Sequence, residues 1–234
     1  MRKKIFFTIE SVVLLLLPGL WVVPSAAGGA CELAPGPLRE AVMRFAPVIV
    51  QRPEIPAAPE AMLYRAATSG DGRLLLIAYH VVWPYEQDPR PGFWPAVTRA
   101  VYTGGLRLQS VIYGPGDVEV IELEVDLETM KLLRVSYETA DYDARGGVIH
   151  VQVVKEGDKL PDQLPLYFEV VSWNHLFELR ERPPAPDQPV HRLEPRPFTE
   201  ELWVYYRMSK SVRTPLSRDR DQRAWETGGI CPFP

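Results

Sequence analysis

The sequence has few of the residues from which catalytic and metal-binding motifs are usually built. Its 234 residues include only two cysteines and four histidines. It has no Cys-x-x-Cys pair, no glycine-rich phosphate loop and no Gly-x-Ser-x-Gly elbow. Zinc-cysteine sites, P-loop nucleotide sites and α/β-hydrolase nucleophiles each depend on one of these patterns. The sequence therefore contains no motif that is typical of these three classes.

A strong charge of one sign is also missing. The formal net charge is −4, and removal of residues 1–27 leaves 23 basic and 29 acidic residues, a net charge of −6. A mildly acidic protein has no general electrostatic basis for binding nucleic acid or an anionic membrane, so we expect no nucleic-acid partner. With 46% hydrophobic residues the chain is rich enough in apolar side chains to form a single globular domain, which we place at residues 28–234.

No apolar run near the amino terminus is long enough to span a membrane. The run at residues 12–23 has about 12 residues where a span needs roughly 20. Arg2, Lys3 and Lys4 precede it and the small residues 25–27 follow it, which is the order found in a cleavable signal peptide. We expect residues 1–27 to be removed, leaving a periplasmic or extracellular domain without a transmembrane span. The alternative is a retained anchor, which would bury Glu10.

Export determines how the two cysteines are interpreted. An even number of cysteines outside the cytoplasm favours a disulfide, here between Cys31 and Cys231. Such a bond would join the two ends of the domain and stabilise it by roughly 3–5 kcal/mol through a loop of about 200 residues. The alternative is lipidation of Cys31 after Gly28, Gly29 and Ala30, as in a bacterial lipoprotein.

Short apolar or alternating segments predict a strand-rich domain. Residues 74–83 are apolar on both faces, which is typical of a strand in the middle of a sheet. In residues 118–126, Ile121, Leu123 and Val125 alternate with acidic residues, as in a strand with one wet face. Further strands are predicted at residues 46–51, 61–68, 132–138, 148–154 and 166–172. Because the turns between strands are too short for parallel crossovers, we expect an α+β, mainly antiparallel, β-sandwich-like domain with a few short peripheral helices.

Helical and proline-rich segments complete the expected architecture. Short helices are predicted at residues 37–45 and 95–102 and from Thr199 to Lys210, with Thr199 as the N-cap and Leu202, Tyr205 and Tyr206 facing inward. Residues 173–179 fit either a helical turn or extended chain. The proline-rich stretch 183–197 must run extended over the surface and cannot join a central strand. Packing in the core is the default explanation for Trp94, Trp203 and Trp225, and an exposed binding patch is the alternative.

Asp117 and Glu119 are the most informative acidic residues. Strand alternation places both on the apolar side of residues 118–126, where buried charges of one sign need a cation or several hydrogen-bond donors. The alternative is that residues 113–117 form a solvated turn and that the strand begins only at Val118. His80 and His175 are each predicted either to join these carboxylates as metal ligands or to be hydrogen-bonded in the core.

The two remaining histidines are weaker candidates for a site. His150 is expected to face outward from its strand, and His191 lies in the proline-rich stretch. The sequence pattern gives no reason to place either imidazole beside Asp117 and Glu119.

The order of four local patterns resembles a known superfamily. They are FAPVI at 45–49, YHVVWPYE at 79–86, GDVEVI at 116–121 and LYFEVVSWNH at 166–175. This order is similar to that of the necrosis- and ethylene-inducing proteins and their vacuolar-sorting-like relatives. The resemblance spans residues 45–177 and implies a β-sandwich.

The same resemblance implies a divalent-cation site. The superfamily has a Gly-His-Arg-His-Asp-Trp-Glu type motif whose acids and first histidine hold the cation. Asp117 and Glu119 match the acids, but Gly114 and Gly116 stand where the histidines would be, and Val118 replaces the tryptophan. The toxin activity of the superfamily is not implied, because each matching fragment is short.

Two functions remain open. The first is a non-enzymatic envelope or secreted domain that binds a ligand or a partner protein through loops at one end of the sandwich. The second is a hydrolase-like enzyme that depends on a divalent cation, calcium or magnesium, held by Asp117 and Glu119 with His175 or His80.

Overall fold

The computed structural model describes residues 37–69, 71–104, 110, 114–144 and 146–208. The predicted signal peptide, both cysteines, Trp225 and residues 209–210 of the last predicted helix lie outside the described residues. Within them, no helix has the length and apolar character needed to cross a membrane.

Strands dominate the described chain, and most begin and end where turn residues predict. The helices are α1 (Pro37–Arg44), α2 (Phe93–Thr98), which continues into a π-helical turn at Arg99–Gly104, and α3 (Glu200–Tyr205); a 3-10 turn spans Gly157–Lys159. The strands are β1 (Val48–Gln51), β2 (Ala61–Thr68), β3 (Leu74–Trp83), β4 (Asp117–Asp126), β5 (Lys131–Tyr142), β6 (Val148–Glu156), β7 (Tyr167–Val170), β8 (Phe177–Arg180), β9 (Val190–His191) and β10 (Pro195–Pro197).

The strands form two sheets that pack face to face. The large sheet has the order β10-β2-β3-β4-β5-β6 and the small sheet the order β8-β7-β1-β9. Pairing is antiparallel except between β1 and β7 and between β10 and β2. The expectation of a strand-dominated, mainly antiparallel α+β sandwich is confirmed.

Alternating residues of the large sheet build the core between the two sheets. Tyr79, Val81 and Trp83 of β3 lie on the same face as Ile121 and Leu123 of β4, and all are buried. Phe168 and Phe177 of the small sheet complete this core, with ring centroids 5.8 Å apart, and Phe168 meets Tyr137 of β5 in the large sheet at 5.3 Å. The two-sided burial predicted for β3 is explained by a second apolar cluster on its other face.

The proline-rich stretch contributes only to sheet edges, as predicted. Strand β9 pairs with β1 at the edge of the small sheet, and β10 pairs with β2 at the edge of the large sheet. Proline lacks the N–H that a central strand must donate, so edge positions are the ones it can occupy.

The second cluster forms where α3 packs on the outer face of the large sheet. Thr199 caps α3, its hydroxyl accepting a hydrogen bond from the Leu202 N–H. Trp203 and Phe198 are buried against Leu63. Two details differ from the sequence-based expectation. The helix ends at Tyr205, and the Tyr205 side chain is exposed. Trp203 packs inside, which agrees with the default explanation of this residue.

Candidate functional site

Polar side chains gather at one end of the large sheet, beside the start of β4 and the end of β5. Among the described residues, the β4–β5 ladder runs from Ile121 opposite Tyr137 to Asp126 opposite Lys131 and does not extend to the start of β4. Asp117 and Glu138 lie beyond the end of this ladder. His175 binds Asp117, His150 binds Glu138, and Asn174, which directly precedes His175, binds His150. We call this group the carboxylate–histidine cluster: Asp117, Glu138, His150, Asn174 and His175.

Asp117 binds a fully buried histidine. Its Oδ2 lies 2.7 Å from Nδ1 of His175, and Nε2 of His175 lies 3.3 Å from the carbonyl oxygen of Pro56. Both partners are hydrogen-bond acceptors for the imidazole N–H groups. The imidazole also stacks on Trp83, with centroids 4.5 Å apart and planes 7° apart. The ring is therefore held by a carboxylate, a backbone carbonyl and an aromatic face.

His175 occupies a backbone position that usually favours glycine. It ends the turn between β7 and β8, where its N–H bonds the Ser172 carbonyl at 3.1 Å, and its φ is 60°. A left-handed conformation at a residue other than glycine or asparagine is uncommon and costs free energy. The side chain of His175 is thus held here by its contacts rather than by backbone preference.

Two glycines place Asp117 at the start of β4. Gly116 has φ +78°, and a Cβ there would lie 2.4 Å from the carbonyl oxygen of Trp83. Gly114 has φ +108°, and its Cβ would lie 2.4 Å from the carbonyl oxygen of Tyr206. Neither position has room for a side chain, so the histidines of the resembled motif do not fit. The strand begins at Asp117, with Asp117 on the core-facing side, so the alternative of a solvated turn is wrong.

His150 joins the cluster from β6. Its Nδ1 lies 2.8 Å from Oε2 of the buried Glu138, and its Nε2 lies 2.9 Å from Nδ2 of Asn174. The hydrogen bond to Glu138 raises the pKa of His150 above its usual value, against the opposing effect of burial, and the charges of Asp117 and Glu86 act in the same direction. Its side chain is 39% exposed. The expectation that His150 simply faces outward missed this pairing.

The segment after β3 lies against the same end of the sheet. Arg90 forms an ion pair with Asp88 at 2.7 Å and also donates to the carbonyl oxygen of Gly146, in the turn between β5 and β6. Arg99 donates to the carbonyl oxygen of Asp88 at 2.7 Å. These contacts tie the segment that carries Glu86 to the hairpin that carries His150.

Two buried polar atoms beside the cluster have no hydrogen-bond partner within the described residues. They are Oδ1 of Asn174 and Nε1 of Trp173. Asn174 is only 6% exposed, and its other amide atom binds His150. If the amide were turned over, Nδ2 would take the place of Oδ1, so one end of it lacks a partner in either orientation. Buried polar atoms of this kind need an explanation, and a bound ligand is one.

The donor set does not match the divalent-cation site that the resemblance implies. His80 lies opposite Val120, on the other face of the sheet from Asp117 and Glu119. The prediction that His80 joins these acids as a metal ligand is therefore wrong. The His80 ring packs against Phe198 at a centroid distance of 4.8 Å. Throughout the described ranges, no three His, Cys, Asp or Glu side chains are grouped so as to hold a metal ion. Binding of calcium or magnesium stays a prediction.

The other sequence candidates lie apart from the cluster. His191 is on β9 in the small sheet, opposite Ile49. Trp94 is exposed and its ring meets that of Phe93 edge-on at 5.3 Å, while Trp203 is buried. Trp94 and Trp203, the two of the three tryptophans that the structure describes, therefore do not form an exposed patch together.

Comparison of the chain with protein families, with curated proteins and with solved structures found no match. The resemblance to the necrosis- and ethylene-inducing superfamily stays a prediction, and the function is argued from the cluster alone.

Proposed function

We propose that this protein is an exported binding domain whose carboxylate–histidine cluster recognises a small ligand through a positively charged ammonium group. The observation that carries the proposal is the amide of Asn174, which is buried beside paired carboxylates and leaves its Oδ1 without a partner in the described chain. A neutral His150 that donates from Nδ1 to Glu138 accepts at Nε2 from Asn174 Nδ2, which leaves Oδ1 as the atom without a partner. Oδ1 can then accept a hydrogen bond from an ammonium N–H.

The electrostatics of the cluster favour a cation. Glu138, Asp117 and Glu86 act together on His150 and raise its pKa, because their negative charges stabilise the protonated imidazole. The same field would stabilise a positive charge on a ligand placed beside His150.

Binding, rather than catalysis, is the function that this arrangement supports best. The buried imidazole of His175 is engaged by Asp117 and Pro56, and the half-buried imidazole of His150 by Glu138 and Asn174. General acid–base chemistry needs a group that can reach a reacting proton. Both dyads are instead fixed by partners on two sides, which suits a preformed recognition site.

Thermal unfolding with a matched pair of probes tests the ligand class. The diamine 1,4-diaminobutane carries two ammonium groups, and 1,4-butanediol has the same length without charge. We expect the diamine to raise the unfolding midpoint in a saturable way at constant ionic strength, because a ligand that binds only the native state stabilises it, and we expect no effect of the diol. The effect should be lost in Glu138→Gln and in Asn174→Ala but kept in Glu128→Gln, which changes an exposed glutamate at the opposite end of the β4–β5 hairpin.

Three outcomes would count against the proposal. Equal shifts from the diamine and the diol would show that charge is not recognised. Equal shifts in Glu128→Gln and Glu138→Gln would show that the cluster is not the site. A midpoint raised by calcium or magnesium, but not by the diamine, would replace the ammonium ligand by the metal-dependent alternative.

Export is tested on the secreted protein. We expect its amino terminus at Gly28 and no reaction of Cys31 or Cys231 with iodoacetamide before reduction, because the leader is cut and the cysteines are paired. Protein that still begins at Met1 with two reactive thiols would exclude both expectations. A lipid-modified Cys31 would replace the disulfide by a membrane anchor.

A further inference from the structure

Strand β6 is an unusual sheet edge. It ends the order of the large sheet, among the described strands, and runs for nine residues. Ile149, Val151 and Val154 are exposed large apolar side chains on it. Edge strands are normally protected by charges or proline, but the charged residues of β6, Lys155 and Glu156, both lie at its carboxyl end.

The apolar part of β6 has a nearly palindromic sequence. Residues 148–154 read VIHVQVV, and reversal about the central Val151 places valine opposite valine or isoleucine and histidine opposite glutamine. Two copies paired antiparallel about Val151 would place Val148 opposite the partner's Val154 and Ile149 opposite the partner's Val153. No like charges would face each other within this stretch.

Pairing about Val151 brings apolar side chains opposite one another, whereas a register shifted by one residue does not. Opposite residues of an antiparallel pair lie on the same face, so Ile149, Val151 and Val153 of both copies would form one apolar stripe. Val153 already packs against the main core, so the stripe would continue that core across the two copies. A shift by one residue would place Val151 opposite glutamine and His150 opposite valine, mixing apolar and polar side chains.

We propose that the protein forms a symmetric dimer in which two β6 strands pair antiparallel about a two-fold axis at Val151. Such a contact joins the two large sheets into one and closes on itself, because each copy uses the same edge. It also brings the two candidate sites together, since His150 lies on β6 and would face the partner's Gln152. The proposal concerns the edge of the sheet and does not depend on ligand binding.

Charge substitutions at the axis test this geometry by sedimentation of the purified protein. We expect the wild type to sediment with the mass of two chains and Val151→Lys, at a site 38% exposed, to raise the dimer dissociation constant more than tenfold. Residue 151 of one copy lies opposite residue 151 of the other copy only if the two-fold axis passes through this position. An equimolar mixture of Val151→Lys and Val151→Asp should therefore recover the dimer, while each variant alone does not.

A matched control separates pairing from general effects of a new lysine. Val190→Lys changes a valine of similar exposure, 37%, on β9 at the edge of the other sheet. We expect it to remain dimeric. A monomeric wild type at 100 µM, a dimeric Val151→Lys, or equal loss of the dimer in both variants would overturn the proposal.

Cysteine substitution checks the same axis independently. Val151→Cys should form a disulfide-linked dimer on a non-reducing gel, because directly opposite residues of antiparallel strands have Cα separations within the range that a disulfide spans. Ile149→Cys, which would face the partner's Val153, should form much less. The reverse order of the two yields would place the axis elsewhere and would refute the register.

Discussion

The pair formed by Asp117 and His175 allows the sharpest prediction about stability. His175 is fully buried, and the Asp117 side chain is 15% exposed, with 2.7 Å between Oδ2 and Nδ1. Asp117→Asn keeps the size of the side chain but removes the negative charge. A hydrogen bond to a charged group contributes about 1.5–3 kcal/mol, so we expect a loss of about 2 kcal/mol. For a domain of this size, that loss lowers the unfolding midpoint by roughly 4–8 °C.

Calorimetry of a double-mutant cycle measures the interaction energy between Asp117 and His175. Asp117→Asn, His175→Asn and the double variant are compared with the wild type, and asparagine is chosen at 175 because it tolerates a positive φ. We expect the double variant to lose much less stability than the sum of the two single variants. Glu128→Gln, in the exposed turn after β4, serves as the control and should unfold like the wild type. Additive losses, or an Asp117→Asn midpoint within about 2 °C of the control, would refute the assigned role.

Three further predictions follow from the backbone, the cluster and the last helix. Gly116→Ala should destabilise the protein by about 1–3 kcal/mol more than Gly72→Ala in chemical denaturation, because both glycines have a positive φ but only Gly116 has a carbonyl oxygen in the way; equal losses would remove the steric argument. The raised pKa of His150 means that its pairing with Glu138 stabilises the fold below pH of about 6.5 and less as pH rises through the folded-state pKa. The midpoint difference between wild type and Glu138→Gln should thus be larger at pH 5.5 than at pH 9, and the opposite order would contradict it. Thr199→Ala should cost about 1 kcal/mol by thermal unfolding through loss of the α3 cap, whereas no change would show that the cap is dispensable.

Local patterns were sufficient to predict elements flanked by turn residues. The bounds of β2 and β3 agree with prediction, since proline and glycine interrupt the chain around long apolar runs. The alternation of β4 correctly placed Asp117 and Glu119 on the core-facing side. These features depend on residues close together in the chain.

The parts of the site that depend on register were not predictable. The contact between His150 and Glu138 requires the pairing of β5 with β6, which places Glu138 opposite Gln152 and next to His150. The face on which His80 lies could not be predicted, because β3 is apolar on both sides and its sequence shows no alternation of polar and apolar residues. The sequence offered contact of His175 with the acidic pair as one of two alternatives, and the structure brings His175 to Asp117, 58 positions away. Only the packing of the two sheets decides between these alternatives.

The most direct test of the ligand site is a nuclear magnetic resonance titration of the purified protein with 1,4-diaminobutane. The chain has four histidines, so individual imidazole signals can be resolved. We expect saturable shifts of the His150 imidazole and of the Asn174 side-chain amide, with the His191 imidazole unchanged. Shifts that do not saturate, or that are equal at His191 and His150, would contradict an ammonium site at the carboxylate–histidine cluster.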